Sequence, residues 1–194
     1  GKYVEGVMLV LNRKPYQIGD RISLQDVPSD AKTSGSPTWF VEDVDLFTTT
    51  VRFAGTNEVA TVANSALVAC RIINANRSPN AIIRIILRFG VSVTKEKIDE
   101  FYINLQQYVK EKPREFLHLI ELSPIAIEIQ QGYVEYVLLV QHVESWQEMG
   151  AVWKSKVELT MHCHELSKEL CMTYTAPVLP VQLHEASEKK TWFG

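Results

Sequence analysis

Thr61-Val62-Ala63-Asn64-Ser65-Ala66-Leu67, running on to Ile72-Ile73-Asn74-Ala75-Asn76-Arg77-Ser78-Pro79, is the stretch whose reading decides the fold. Two polar turns, one on Asn64-Ser65 and one over 76–79, bracket a short apolar segment. Asn and Ser bond nearby backbone and so favour turns, while a Pro holds the residue before it in extended conformations. None of the groups that usually carry catalysis is present. The stretch therefore reads as the closing edge of a small β-domain followed by a hinge.

Upstream, the first ~75 residues read as short strands separated by turns, the signature of a small barrel or sandwich. An apolar run at 7–11 precedes Arg13-Lys14-Pro15, and Gly19-Asp20 forms a turn pair ahead of a strand over 21–25. Residues 26–38 are rich in Pro, Ser, Asp and Gly, which predicts an exposed loop. The residues at 40–46 and 48–53 suit strands, and Gly55-Thr56-Asn57 turns the chain into a hairpin strand over 58–62.

The rhythm changes after Pro79, which marks a domain boundary. A nearly continuous apolar run at 82–89 predicts a buried strand. Thr94 is placed to N-cap a helix ending near Lys112, with Ile98, Phe101, Leu105 and Tyr108 on one face. Ile125, Ile127 and Ile129 alternate with polar or small residues as a half-buried strand, and Gln131-Gly132 turns into a strand over 133–142. Ser145 and Glu148 form a capping box for a helix to about Leu170, with Met149, Val152, Trp153 and Val157 as its apolar face. A short strand at 172–174 completes the order strand, helix, strand, strand, helix, strand, the split βαβ pattern of ferredoxin-like domains.

Composition narrows the function. With 194 residues, 46% hydrophobic, the chain is long enough for one large or two small folded domains. Its 20 basic and 23 acidic side chains leave a formal charge of −3, which supplies no long-range pull on phosphate backbones. No run approaches the ~20 apolar residues that cross a bilayer. Cys70, Cys163 and Cys171 are widely spaced and odd in number, a pattern of reduced thiols. His162-Cys163-His164 invites a metal reading, yet neighbouring helix positions point about 100° apart and cannot converge on one ion. No metal, cofactor or catalytic residue is expected.

The segment 7–24, with Lys14-Pro15-Tyr16 and Ile18-Gly19-Asp20-Arg21-Ile22, together with Thr50-Val51-Arg52, Asn64-Ser65 and Arg77-Ser78-Pro79, resembles MscS-type mechanosensitive channels. The likeness lies in their middle β-domain and its junction with the pore helix. Two positions depart from that pattern: Ala63 stands where the family usually has Pro, and Trp39 where it usually has Gly. The resemblance implies an α+β chain: the end of a pore helix at 1–12, an Sm/SH3-like β-domain at 13–78, a ferredoxin-like domain at 79–175, and a C-terminal barrel strand and tail at 176–194. It also implies a homo-heptamer enclosing a vestibule below a membrane pore, carrying small ions and anchored in a plasma or organellar membrane by helices outside this chain. The family motif falls on Gly19, Asp20, Asn64, Ser65, Asn74, Arg77 and Pro79. Asn64 is expected to cap its local turn, and Arg77 either to pair across an interface or to be a solvated hinge residue. Arg13 and Lys14 are expected near the inner leaflet, where anionic lipids attract each basic side chain by about 1 kcal/mol. The alternative is a soluble ring-forming scaffold or an Sm-like RNA-binding module.

Overall fold

A computed structural model of the protein describes residues 1–25 and 38–174. The loop expected at 26–38, apart from Thr38, and the terminal strand expected within 176–194 lie outside the described residues. The fold is mixed α/β with two antiparallel sheets.

The chain opens as a helix, α1 (Lys2–Met8), which widens into one π-helical turn over Leu9–Arg13. There the Lys14 N–H reaches the Leu9 carbonyl at 2.8 Å, and Lys14 closes the helix in the left-handed region at φ 43°. The apolar run at 7–11 is therefore helical where the surrounding pattern suggested strands. Five strands follow: β1 (Arg21–Gln25), β2 (Thr38–Val44), β3 (Thr48–Phe53), β4 (Val59–Ala63) and β5 (Arg71–Asn74), in the sheet order β4-β3-β2-β1-β5. Ile22, Trp39, Val41, Val51 and Leu67 form the core beneath this sheet. Trp39 is buried and lies 5.9 Å from the Phe53 ring, so the position where the family places Gly is here filled by core. Ala63 adopts φ −66°, the angle that a Pro ring imposes, so its departure leaves the backbone path open to the same turn.

The second sheet has the order β6-β8-β7, from β6 (Ile82–Gly90), β7 (Phe116–Glu128) and β8 (Tyr133–His142). Helices α3 (Lys95–Glu111) and α4 (Met149–Glu169) pack on it around Ile83, Phe101, Leu105, Phe116, Leu138 and Leu159. Thr94 stands at the start of α3, and Phe101 and Leu105 are fully buried with Ile98 and Tyr108 beside them, the face that the spacing predicts. Of the strand expected at 172–174, one bridge is formed, between Thr173 and Phe89.

Two expectations fail in this half. Ile125, Ile127 and Ile129 are exposed rather than half-buried, and their strand starts much earlier, at Phe116. The cause is a set of three register shifts against β8, after which the inward residues are Phe116, Leu119 and Leu122, three apart instead of two. In α4 the buried stripe is Val152, Ser155, Leu159, Cys163 and Leu166, whereas Met149, Trp153 and Val157 are exposed. The capping residue is right: Ser145 accepts from the Gln147 N–H at 3.2 Å and starts a 3₁₀ turn, Trp146–Glu148, that runs into α4.

Candidate functional site

Asp20 ends the turn that Gly19 makes possible: Gly19 sits at φ +89°, a region that other residues enter at a cost. The Asp20 side chain is buried, and a buried carboxylate must be matched by donors. Four partners supply that match. Its Oδ2 accepts from the Gln17 N–H at 2.9 Å and from Asn74 Nδ2 at 2.6 Å, its Oδ1 accepts from Asn76 Nδ2 at 2.7 Å, and Arg77 adds positive charge. Burial alone pushes its pKa up, but the amide donors and Arg77 outweigh it and hold the group below the ordinary carboxylate range.

The same network reaches the helix that precedes it. Asn74 Nδ2 also donates to the Pro15 carbonyl at 3.0 Å, its Oδ1 accepts from the Arg77 N–H at 3.1 Å, and Arg77 Nη1 donates to the Lys14 carbonyl at 2.7 Å. Gly19, Asp20, Asn74 and Arg77 are thus brought together, and they tie the end of the N-terminal helix to the exit from β5. Arg77 turns out to bond within its own chain. Arg13 and the Lys14 side chain are exposed, and Pro79 lies exposed beyond the network.

Asn64 and Ser65 form a second node, beneath α1. They open a short helix, α2 (Asn64–Leu67), rather than an irregular turn. Asn64 is fully buried and reaches well beyond its local backbone: its Nδ2 donates to the Asp45 and Leu46 carbonyls at 2.9 and 3.1 Å. Its Oδ1 accepts from Thr49 Oγ1 at 2.7 Å. Because the Thr49 proton is spent there, the Tyr16 hydroxyl must donate to Thr49 Oγ1, 3.0 Å away. Directly above, Gly6 is packed so closely that a Cβ on it would stand 2.7 Å from the Ser65 nitrogen.

Sequence reasoning missed Gly6, whose one signal is a Gly inside an otherwise helix-compatible run, and it missed Gln147. Gln147 Oε1 accepts from the Arg21 N–H at 2.8 Å and its Nε2 donates to the Gly19 carbonyl at 3.0 Å. That amide joins the second sheet's helical corner to the Asp20 turn across more than a hundred residues, and no local pattern announces it. Chemically, the arrangement offers neither a nucleophile beside a base nor a converging ligand set. Among the described residues no three His, Cys, Asp or Glu side chains are grouped to hold a metal ion. What it does is fix the angle at which an N-terminal helix leaves a β-domain.

Comparison with known proteins agrees with that geometry. Residues 2–77 match the family model described as the β-domain of mechanosensitive ion channels. No curated protein matches the chain in sequence. Among solved structures, Helicobacter pylori MscS in its closed state superposes with a TM-score of 0.71 at 12% identity, over 94% of this chain and 65% of that one. Wild-type Arabidopsis thaliana MSL1 gives a TM-score of 0.65 at 17% identity, over 92% of this chain and 56% of that one. This chain therefore spans roughly three fifths of the length of the channels it resembles. No described helix is long and apolar enough to cross a membrane. Residues 2–77 thus resemble the β-domain of mechanosensitive ion channels in sequence, and the chain as a whole shares the fold of Helicobacter pylori MscS and Arabidopsis thaliana MSL1.

Proposed function

We propose that this chain forms the cytoplasmic vestibule of a channel that opens under membrane tension and passes small ions. The observation that carries the reading is the seating of the helix before the β-domain. Gly6 is pressed on the α2 backbone, and the Lys14 carbonyl is held by Arg77. A pore helix held in this way at its inner end can transmit its tilt to the domain below. Helix α1 and the π-helical turn that follows it leave Tyr3, Val4, Met8 and Leu11 exposed, as suits a helix that meets copies of itself or lipid in a complete channel.

In this reading residues 1–12 end the pore helix, 13–78 form the Sm/SH3-like middle domain, 79–175 the ferredoxin-like domain, and 176–194 the terminal barrel strand. The strand order supports the ferredoxin-like assignment: the Thr173 bridge to β6 extends β6-β8-β7 to the order 4-1-3-2 in which split βαβ domains are arranged. Among the described residues both sheets leave open edges, which ring closure between seven identical subunits would satisfy without an end. Arg13 and Lys14 then face the inner leaflet. A net charge of −3 favours this reading over a ring that binds RNA.

Patch-clamp recording of the full-length protein tests it. A conductance that rises with membrane tension is expected. Its absence from patches in which another MscS-type channel opens would overturn the reading.

A further inference from the structure

Arg21 is a charged side chain with 8% exposure. The ion pairs of the described residues join Arg52 to Glu42, Arg88 to Glu135, and Lys112 to Glu115 and Glu158, and none involves Arg21. Its guanidinium donates to the Trp146 carbonyl and to the Met149 sulfur, which occupies two of its five N–H donors. Burial pushes its pKa down, and among the described residues no anion pairs with it. Among the described residues, His162 Nε2 is the one sealed side-chain nitrogen or oxygen without a partner. The Arg21 Nε is not among such sealed groups, and Arg21 lines accessible space.

That space consists of two clefts that share Arg21 and Met149 along the seam between the sheets. The larger, about 400 Å³, is walled by Phe40, Ala54, Gly150 and Trp153. The smaller, about 270 Å³, is walled by Ile22, Ile73, Ala75 and Trp146. Mostly apolar walls with a few polar groups, here the Arg21 guanidinium and the hydroxyl-bearing Ser23, Thr38 and Ser78, are the usual make-up of a small-molecule site. A single carboxylate neutralises a single guanidinium and matches its fork through two parallel hydrogen bonds, whereas a doubly charged phosphate would leave a buried excess of negative charge.

We propose that these clefts bind a fatty-acid carboxylate of medium chain length, its head on Arg21 and its tail against Phe40, Met149 and Trp153. The inference does not depend on the channel reading, because it rests on the seam of this chain alone. Bound there, the ligand spans β1, β2 and α4 and holds the seam shut.

Calorimetric titration of the chain below the critical micelle concentration tests it, using decanoate, 1-decanol and propionate. Decanoate is expected to bind at one site per chain, with decanol, which lacks the charge, and propionate, which lacks the tail, each at least tenfold weaker. Because Arg21→Gln could loosen the seam, the decisive variant is Gly150→Leu. Gly150 lines the larger cleft and a Cβ on it meets no atom within 4 Å, so a side chain can start there without a clash at its root. That variant should keep the wild-type unfolding midpoint and bind decanoate at least tenfold more weakly. No measurable heat with decanoate, equal binding of decanoate and decanol, or undiminished binding by Gly150→Leu would each overturn the proposal.

Discussion

Replacing Asp20 by Asn keeps the size of the side chain but turns one acceptor oxygen into a donor. Its Oδ2 now faces the Gln17 N–H and the Asn74 amide, so donor would meet donor, and the charge opposite Arg77 would be lost. Removing a charged partner from buried hydrogen bonds costs about 1.5–3 kcal/mol, and Asp20→Asn is expected to lower the free energy of unfolding by that amount, read as a lower urea midpoint with an unchanged slope. Asn64→Ala acts by a different route: it removes a fully buried amide that accepts from the Thr49 hydroxyl and donates to the Asp45 and Leu46 carbonyls. About 2–3 kcal/mol of stability should go with it, read in the same titration. The motif residues themselves were legible, since Gly19-Asp20 and Asn64-Ser65 are turn-forming pairs in any context. Their distant partners were not, because Asn74 and Asn76 meet Asp20 only once β1 and β5 pair.

At the scale of elements, the packing of α1 on α2 depends on one missing methyl group. The atoms that a Gly6 Cβ would strike are backbone atoms of Asn64 and Ser65, which cannot swing aside, so Gly6→Ala must lift the helix. A cost of about 1–3 kcal/mol is expected from the thermal midpoint, as for other overpacked contacts. The corner between β8 and α4 makes a pH-dependent prediction. His142 Nδ1 accepts from the Glu144 N–H at 2.9 Å, so its Nε2 carries the proton and faces Ser155 Oγ at 3.2 Å. Burial holds its pKa below the ordinary value against the pull of the Glu144 and Glu115 carboxylates. The unfolded chain therefore takes up the proton first, so this contribution to stability is complete above about pH 6.5 and is lost as pH falls below it. Thermal midpoints between pH 7.5 and 5.5 should drop, and drop less in His142→Gln. Part of the fall should remain in that variant, because burial lowers His162 in the same way.

Across the whole molecule, the two sheets are joined at a polar seam, and Gln147 is its smallest separable part. Gln147→Ala removes the hydrogen bonds to the Arg21 N–H and the Gly19 carbonyl while leaving both cores intact. At about 1 kcal/mol per bond, the Arg21 amide should exchange its hydrogen roughly tenfold faster or more, while amides in β6 and β8 keep their rates. Uniform acceleration throughout the chain would mean that the seam and the cores open as one unit.

What the sequence determined by itself was whatever repeats locally. The turn chemistry of Gly19-Asp20 and Asn64-Ser65, the apolar run of β6 and the three-four-three spacing on α3 all act within a few residues. The tertiary structure decided what depends on distant partners. Three register shifts against β8 turned the inward period of β7 from two to three, which hid Leu119 and Leu122 from a pattern search and left Ile125, Ile127 and Ile129 outside. The stripe that α4 buries was chosen by the sheet it meets, and the roles of Gly6, Arg21 and Gln147 arise from approaches between residues far apart in the chain. Propensity and capping act along the chain, whereas close packing and the pairing of buried polar groups act across it, and only the folded chain brings those groups together.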